Sequence, residues 1–489
     1  MNRYDFDKGL ADVERLEVLI ASPLLHVLGR DLPAYGTSTK PSAAEPAALL
    51  VVGAATLICG SDRAADRELK AHWPRLHAAF VAAGYRVPAA PLRSQHFRDY
   101  RDGFLGGALP DSWKQTARTM FVELALSLGL FPENDEPWIR PHLDGIVTAD
   151  GTWIAAATDV RDMTTSRSRT GTPRVAVDAD RKSGDRTGGE TERPVKGTGV
   201  KGIAKSKRKQ RGWGYMFCIT SVRGGAPRLR VVLDVAHAPN SAELDVVIPT
   251  VRRLREYLGD RFRCLVYDGA MAGVHHRKIR RLGVLSVNKP KGLRNPKLWS
   301  RYRGERVGVG AKVLEVANDC EHRHLLTVTD GLFWELTETV VGGYVRHRVP
   351  EVTDIRRFEV GPTSDDGFRW EMDVTVRCER GDHIITFDPN ATIKCATGAA
   401  LRKSAHGPLT YNAELTLSQQ LRMLQPNEDN FAPVFGRRND SETGNKNLKM
   451  DYDLGDRARS YTVERVDTDL WIYSLLTNAL AWAEHGGRH

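Results

Sequence analysis

The spacing of apolar positions changes along this chain, and each change predicts a different kind of element. Up to about residue 135 apolar residues recur at helical spacing in Ala47–Cys59, Trp73–Ala83 and Trp113–Leu130, with the charged run Asp62–Lys70 between the first two. Ile146–Ala157 is instead a run of apolar and small residues broken by Asp150-Gly151, the pattern of a buried strand that continues past an acid. Trp213–Val222 and Leu229–Ala236 predict two strands joined by a Gly-Gly turn. Asn240, with Glu243 three residues on, predicts a capped helix running to about Leu258. Phe262–Asp268 then predicts a short strand ending in an Asp-Gly turn, followed by a helix near His275–Leu282 and a strand through Val284–Val287.

From about Pro296 to Gly407 the period becomes two. Strands are predicted at Ala311–Ala317, His324–Val328, Leu332–Val340, Tyr344–Val349, Arg357–Val360, Phe368–Cys378 and His383–Phe387. Helical spacing returns in Phe435–Lys449, where Arg438, Glu442, Asn445 and Lys449 stand at i, i+4, i+7 and i+11 and share one face. A carboxylate aligned with cations on both sides suits a metal ligand working against a phosphate backbone. By itself it is more often the pattern of a solvated helix with ordinary ion pairs.

Two upstream acids change that balance. Asp150 lies in one predicted strand and Asp268 at the carboxyl end of another, the end from which α/β sheets present side chains to ligands. With Glu442 they form an Asp, Asp, Glu set. The chain therefore resembles DDE-type bacterial insertion-sequence transposases, in the group defined by a Tyr, Arg, Glu, Lys signature with two, three and six residues between members. Arg438, Glu442 and Lys449 fall on that spacing, with Phe435 in place of the Tyr. Ala149–Thr152, Gly212–Tyr215, Asn240–Glu243 and Tyr267–Ala270 resemble other family segments, so the likeness runs from about Asp150 to the C-terminus with a long interruption.

The resemblance implies an α/β fold: an RNase H-like catalytic core with a helical N-terminal domain and a β-rich insertion. The divisions expected are 1–135 (helical, DNA-binding), 136–295 (first part of the core), 296–407 (insertion) and 408–489 (C-terminal helices of the core). It further implies that Asp150, Asp268 and Glu442 are both catalytic residues and ligands of two Mg²⁺ ions, for which Mn²⁺ can substitute. Arg438, Lys449 and Asn445 would meet phosphates. The reaction implied is cleavage and transfer of double-stranded DNA at terminal inverted repeats and target sites, by a dimer on DNA. A nuclease of the same fold without strand transfer, and a repurposed DNA-binding regulator, are the rival expectations.

Charge fits a polyanionic partner: 71 Lys and Arg against 61 acids give a formal +10. Between Asp162 and Gly212 composition shifts to Gly, Thr, Ser, Lys and Arg, and Thr191–Gly212 holds eight basic residues against Glu192. Such a segment predicts a loop without its own core, disordered without DNA, in which Lys205, Lys207, Arg208, Lys209 and Arg211 contact phosphates. The cluster Arg93–Arg101 is a second candidate for phosphate contacts. Within the insertion, Trp334 and Trp370 are candidates to stack a base flipped from a DNA hairpin, the alternative being sheet core.

Cys320, His322 and His324 alternate and would share a strand face, yet no fourth zinc ligand is evident nearby. His275-His276 predicts polar surface or DNA contact rather than a general base. The six cysteines form no Cys-x-x-Cys pair and are expected to be reduced core residues of a cytoplasmic, nucleoid-associated protein. The first residues carry acids without a basic-then-apolar signal segment, and the longest apolar stretch, Ala43–Gly60, falls short of a membrane span.

Overall fold

The computed structural model describes residues 9–35, 44–133, 136–155, 213–226, 228–290, 313–316, 324–338, 344–361, 367–394, 414–452, 454 and 462–486, with short strands at 180–181, 192–194 and 201–203. The fold is mixed α/β, built on a mixed sheet. Its five main strands are β1 (Ile146–Ala155), β2 (Trp213–Arg223), β3 (Arg230–His237), β4 (Cys264–Val266) and β5 (Leu285–Val287). They lie in the order β3-β2-β1-β4-β5, and Asp180–Arg181 pairs with the Trp213 end of β2.

β1, β2 and β3 form an antiparallel meander, whereas β4 and β5 run parallel to β1. A parallel neighbour requires a crossover. Helix Glu243–Leu258 supplies one between β3 and β4, and Gly273–Arg281 supplies the next between β4 and β5. The first of these helices is not capped as its sequence predicts. Asn240 sits in a 3-10 turn at φ 55°, a left-handed conformation that Asn tolerates, and Ala242 occupies the N-cap position. Glu243 is therefore released from capping.

The N-terminal helices Asp12–Ala21, Pro23–Arg30, Pro46–Ile58, Asp62–Ala82 and Asp111–Ser127 share one continuous hydrophobic cluster with β1–β3 and the C-terminal helix Val463–His485. Pro46–Ile58 is buried on every side except Thr56, which accounts for apolar residues all round it. Among the described residues, no single helix is long and apolar enough to cross a membrane. The charged run after it and Trp73–Ala83 form one helix, with Pro74 inside rather than between two.

The predicted insertion is β-rich. One antiparallel sheet holds Leu314–Val316, His324–Thr329, Leu332–Glu338 and Tyr344–Arg348; another holds Glu351–Glu359, Phe368–Val376 and His383–Phe387. The strand expected at Arg357–Val360 begins at Glu351, because Val352 and Ile355 turn inward between charged neighbours.

Candidate functional site

Register brings the two aspartates together. Thr148 of β1 pairs with Val266 of β4, and each acid lies two residues beyond that rung, on the same face as its rung residue. The backbone stays extended past Val266, since Tyr267 N–H donates to Val287 O across 3.0 Å. Asp268 then turns the chain: its Oδ1 accepts from Ala270 N at 2.7 Å, and Asn288 Nδ2 donates to the carbonyls of Asp268 (3.2 Å) and Met271 (3.0 Å). Asn288 Oδ1 in turn accepts from Arg422 Nε at 2.6 Å and faces His276 Nε2 at 3.0 Å. His276 is fully buried, and burial with Arg422 and Arg280 nearby holds its pKa well below the usual value. The expected surface histidine is thus a neutral part of the brace behind Asp268, while His275 Nδ1 accepts from Ala272 N at the helix start.

The third acid arrives on helix Arg438–Met450, which packs across β1. Leu448 is buried beneath it, and Asp440 accepts from Arg223 at the end of β2. Arg230, opening β3, donates to the Asp440 carbonyl, and its guanidinium passes so close to Gly444 that an added Cβ would lie 2.8 Å from Nη1. So anchored, the helix turns its predicted face toward Asp150. Asn445 Nδ2 donates to Asp150 Oδ2 across 2.8 Å, and Arg438 Nη2 pairs with Glu442 Oε1 at 2.9 Å. Glu442 keeps 51% of its side chain exposed. Lys449 lies half-buried one turn beyond Asn445.

A fourth carboxylate lies nearby, against the neighbours of the two aspartates on the opposite face of the strands. Glu243 Oε2 accepts from Tyr267 Oη, and its carboxylate covers Gly151 so closely that an added Cβ would meet it at 2.3–2.6 Å. In the sequence Glu243 reads as a helix-capping residue and the end of a family-like segment, outside the set of site acids. Its signal was the glycine directly after Asp150, which leaves room for a side chain from the helix that follows β3. The electrostatics register all four acids: the Asp150 pKa is raised from 3.8 to about 6, chiefly by burial, with Arg438 lowering it and Asp268, Glu243 and Glu442 each raising it. Negative charge here exceeds what the local cation balances. Oxygen donors of this kind suit a hard divalent cation.

Several other expectations do not gather here. Trp334 and Trp370 are 1% and 0% exposed. Trp334 packs with Val313, Leu325 and Leu332 under Arg346. Trp370 donates from Nε1 to Arg280 O at 2.7 Å and meets Trp138 edge-on. Both are sheet core, and neither offers a ring face to a base. In Arg93–Arg101, Phe97, Tyr100 and Arg101 are buried, Arg98 pairs with Asp62 at 2.6 Å, and Arg101 pairs with Asp102 and Asp469. Arg98 and Arg101 thus stitch helices together through carboxylate partners, while Arg93 is exposed. Lys205, Lys207, Arg208, Lys209 and Arg211 lie outside the described residues.

Comparison with protein families, with characterised proteins and with solved structures yields no match.

Proposed function

We propose that this chain is a transposase of the DDE type, with an RNase H-like core, that cuts DNA at the ends of a mobile element and joins them to a target. The observation that carries the reading is the convergence on Asp150: Asp268 stands beside it in register, and the helix bearing Arg438, Glu442 and Asn445 is hydrogen-bonded to it. The strand order β3-β2-β1-β4-β5, with three antiparallel strands followed by two parallel ones, supports the RNase H-like assignment.

The carboxylates present fit Mg²⁺ or Mn²⁺, and a divalent cation would neutralise the negative charge that Asp268, Glu243 and Glu442 place around the buried Asp150. Asp150, Asp268 and Glu442 would hold it, with Glu243 adding negative field from behind Asp150. Such a cation supplies charge stabilisation for phosphoryl transfer and acidifies a bound water or hydroxyl. The chain's own residues do the rest. Asn445 orients Asp150, the Asn288 brace fixes Asp268, and Arg438, paired with Glu442 at the edge of the acids, would meet a phosphate oxygen. Lys449 offers a second cation on the same face. Two DNA ends must be held together for joining, so the working form is a dimer on DNA.

The test is incubation of the purified protein with Mg²⁺ and labelled DNA carrying the flanking element ends, resolving cut from joined products. Glu442→Ala, at a half-exposed position that leaves the fold intact, is the control. Cutting and joining lost in the variant with DNA binding retained is the expected result. Cutting without joining would make the protein a nuclease, and binding without either reaction would make it a regulator.

A further inference from the structure

We propose that His324, Cys378 and His383 form a zinc site that ties together the two sheets of the β-rich region. One ligand atom from each lies within 4.8 Å of the others, and none of the three belongs to the acidic cluster. Their positions come from both sheets. His324 opens the strand His324–Thr329 of the four-stranded sheet. His383 opens the last strand of the three-stranded sheet, paired with Val376, and Cys378 lies two residues past Val376 in the connecting turn. The two imidazoles are close neighbours, with ring centroids 5.5 Å apart.

The donor chemistry selects the metal. One thiolate and two imidazoles form a borderline-soft set that suits tetrahedral zinc, with Zn–S at about 2.3 Å and Zn–N at about 2.0–2.1 Å. Ligand atoms around such an ion stand roughly 3.3–3.8 Å apart, so modest side-chain adjustment closes the site. Two further observations point to a ligand. His383 Nε2 is buried without a hydrogen-bond partner, although an imidazole nitrogen so placed ordinarily finds one. Behind His324, Glu335 Oε1 lies 3.4 Å from Nδ1, and Arg348 Nε holds the other Glu335 oxygen. A carboxylate there fixes the Nδ1–H tautomer and directs the Nε2 lone pair to a metal. The three ligands among the described residues leave a fourth position of the tetrahedron. Of the alternating trio Cys320, His322 and His324, His324 enters this site; the other two lie outside the described residues.

The experiment uses the full-length protein, reduced and stripped of metal, titrated with Zn²⁺ and separately with Co²⁺. Expected are one tight equivalent of zinc per chain, a thiolate-to-cobalt charge-transfer band with the intense visible bands of tetrahedral cobalt, and a rise of several degrees in unfolding temperature on zinc addition. Cys378→Ser should abolish the charge-transfer band, and His383→Gln should weaken zinc at least tenfold, in variants whose circular dichroism matches the wild type. Cobalt bound to the wild-type protein without a thiolate band overturns the proposal whatever the variants do. So does a tight zinc equivalent unchanged by both substitutions.

Discussion

Asn445 and Asp150, 295 positions apart in the chain, are joined by a 2.8 Å hydrogen bond from the Asn445 amide to Asp150 Oδ2. The bond fastens the helix that carries Glu442 to the strand that carries the first acid. It also occupies one of the two carboxylate oxygens of Asp150. Hydrogen bonds to a charged group contribute about 1.5–3 kcal/mol. Asn445→Ala is therefore expected to weaken Mg²⁺ about tenfold and to slow cleavage most at limiting Mg²⁺, with recovery when Mg²⁺ is raised. A Mg²⁺ titration of cleavage rate checks this; a loss equal at all concentrations would assign Asn445 to DNA contact instead.

The raised Asp150 pKa makes a prediction about pH with a definite sign. A carboxylate lifted from 3.8 to about 6 binds its proton more tightly when folded. Its contribution to stability is therefore greatest below pH ~4, falls as pH rises toward ~6, and is flat above that. In the cation-free protein at pH 7.5, Asp150→Asn should raise stability by up to about 3 kcal/mol while abolishing cleavage. Added Mg²⁺ should raise the unfolding temperature of the wild type and not of the variant. Below pH ~6 protons compete for the site, so Mg²⁺ affinity should drop about tenfold per unit. Thermal unfolding across pH with and without Mg²⁺ measures all three effects.

Arg438 opposes the other acids at Asp150, because its charge lowers the pKa that Asp268, Glu243 and Glu442 raise. Removing that charge by Arg438→Gln should move the acid limb of the cleavage profile to higher pH, by up to roughly one unit. It should also weaken DNA binding at neutral pH and make that binding less salt-sensitive. An unchanged pH limb would show that Arg438 serves Glu442 alone.

Gly151 has no room for a side chain beside the Glu243 carboxylate. Gly151→Ala should displace Glu243 from Tyr267, at a cost of about 1–3 kcal/mol for a broken buried hydrogen bond. Glu243→Gln keeps the contact and removes one negative charge. If Glu243 contributes field to the cation site, Glu243→Gln should lower the Asp150 pKa and weaken Mg²⁺ several-fold, whereas Gly151→Ala should chiefly lower stability. Paired Mg²⁺ titrations and denaturant unfolding of the two variants separate these roles.

The strands and the acid-bearing helix were legible because local pattern specified them. Ile146–Ala155 reads as an apolar run broken by Asp150-Gly151 and Cys264–Val266 as one ending near Asp268-Gly269, and the spacing from Arg438 to Lys449 placed four polar side chains on one face. Tertiary choices were not legible. Whether Asn240 capped a helix or took a left-handed turn depended on how β3 met the helix after it, and that choice released Glu243 to the site. Burial of His276 required Asn288 and Arg422, which arrive from distant segments. Period-two spacing located most strands of the β-rich region but carried no information about how its two sheets pack. That arrangement decides whether Trp334 and Trp370 face solvent or core.

Trp370 gives the sharpest contrast between a DNA-contacting and a structural aromatic. Its ring is fully buried against Trp138, and its indole N–H donates to the Arg280 carbonyl at the end of the helix that follows Asp268. Loss of the ring removes both core contact and that tie, so Trp370→Ala should cost about 3–5 kcal/mol of stability. Trp370→Phe retains most of the packing without the hydrogen bond and should cost less. Because Arg280 belongs to the helix that positions the Asp268 turn, any effect on cleavage should scale with stability across the pair. A residue that stacks a flipped base would behave oppositely, losing about 1–3 kcal/mol of DNA affinity with folding unchanged. Denaturant midpoints measured beside DNA affinities for wild type, Trp370→Phe and Trp370→Ala decide between the two.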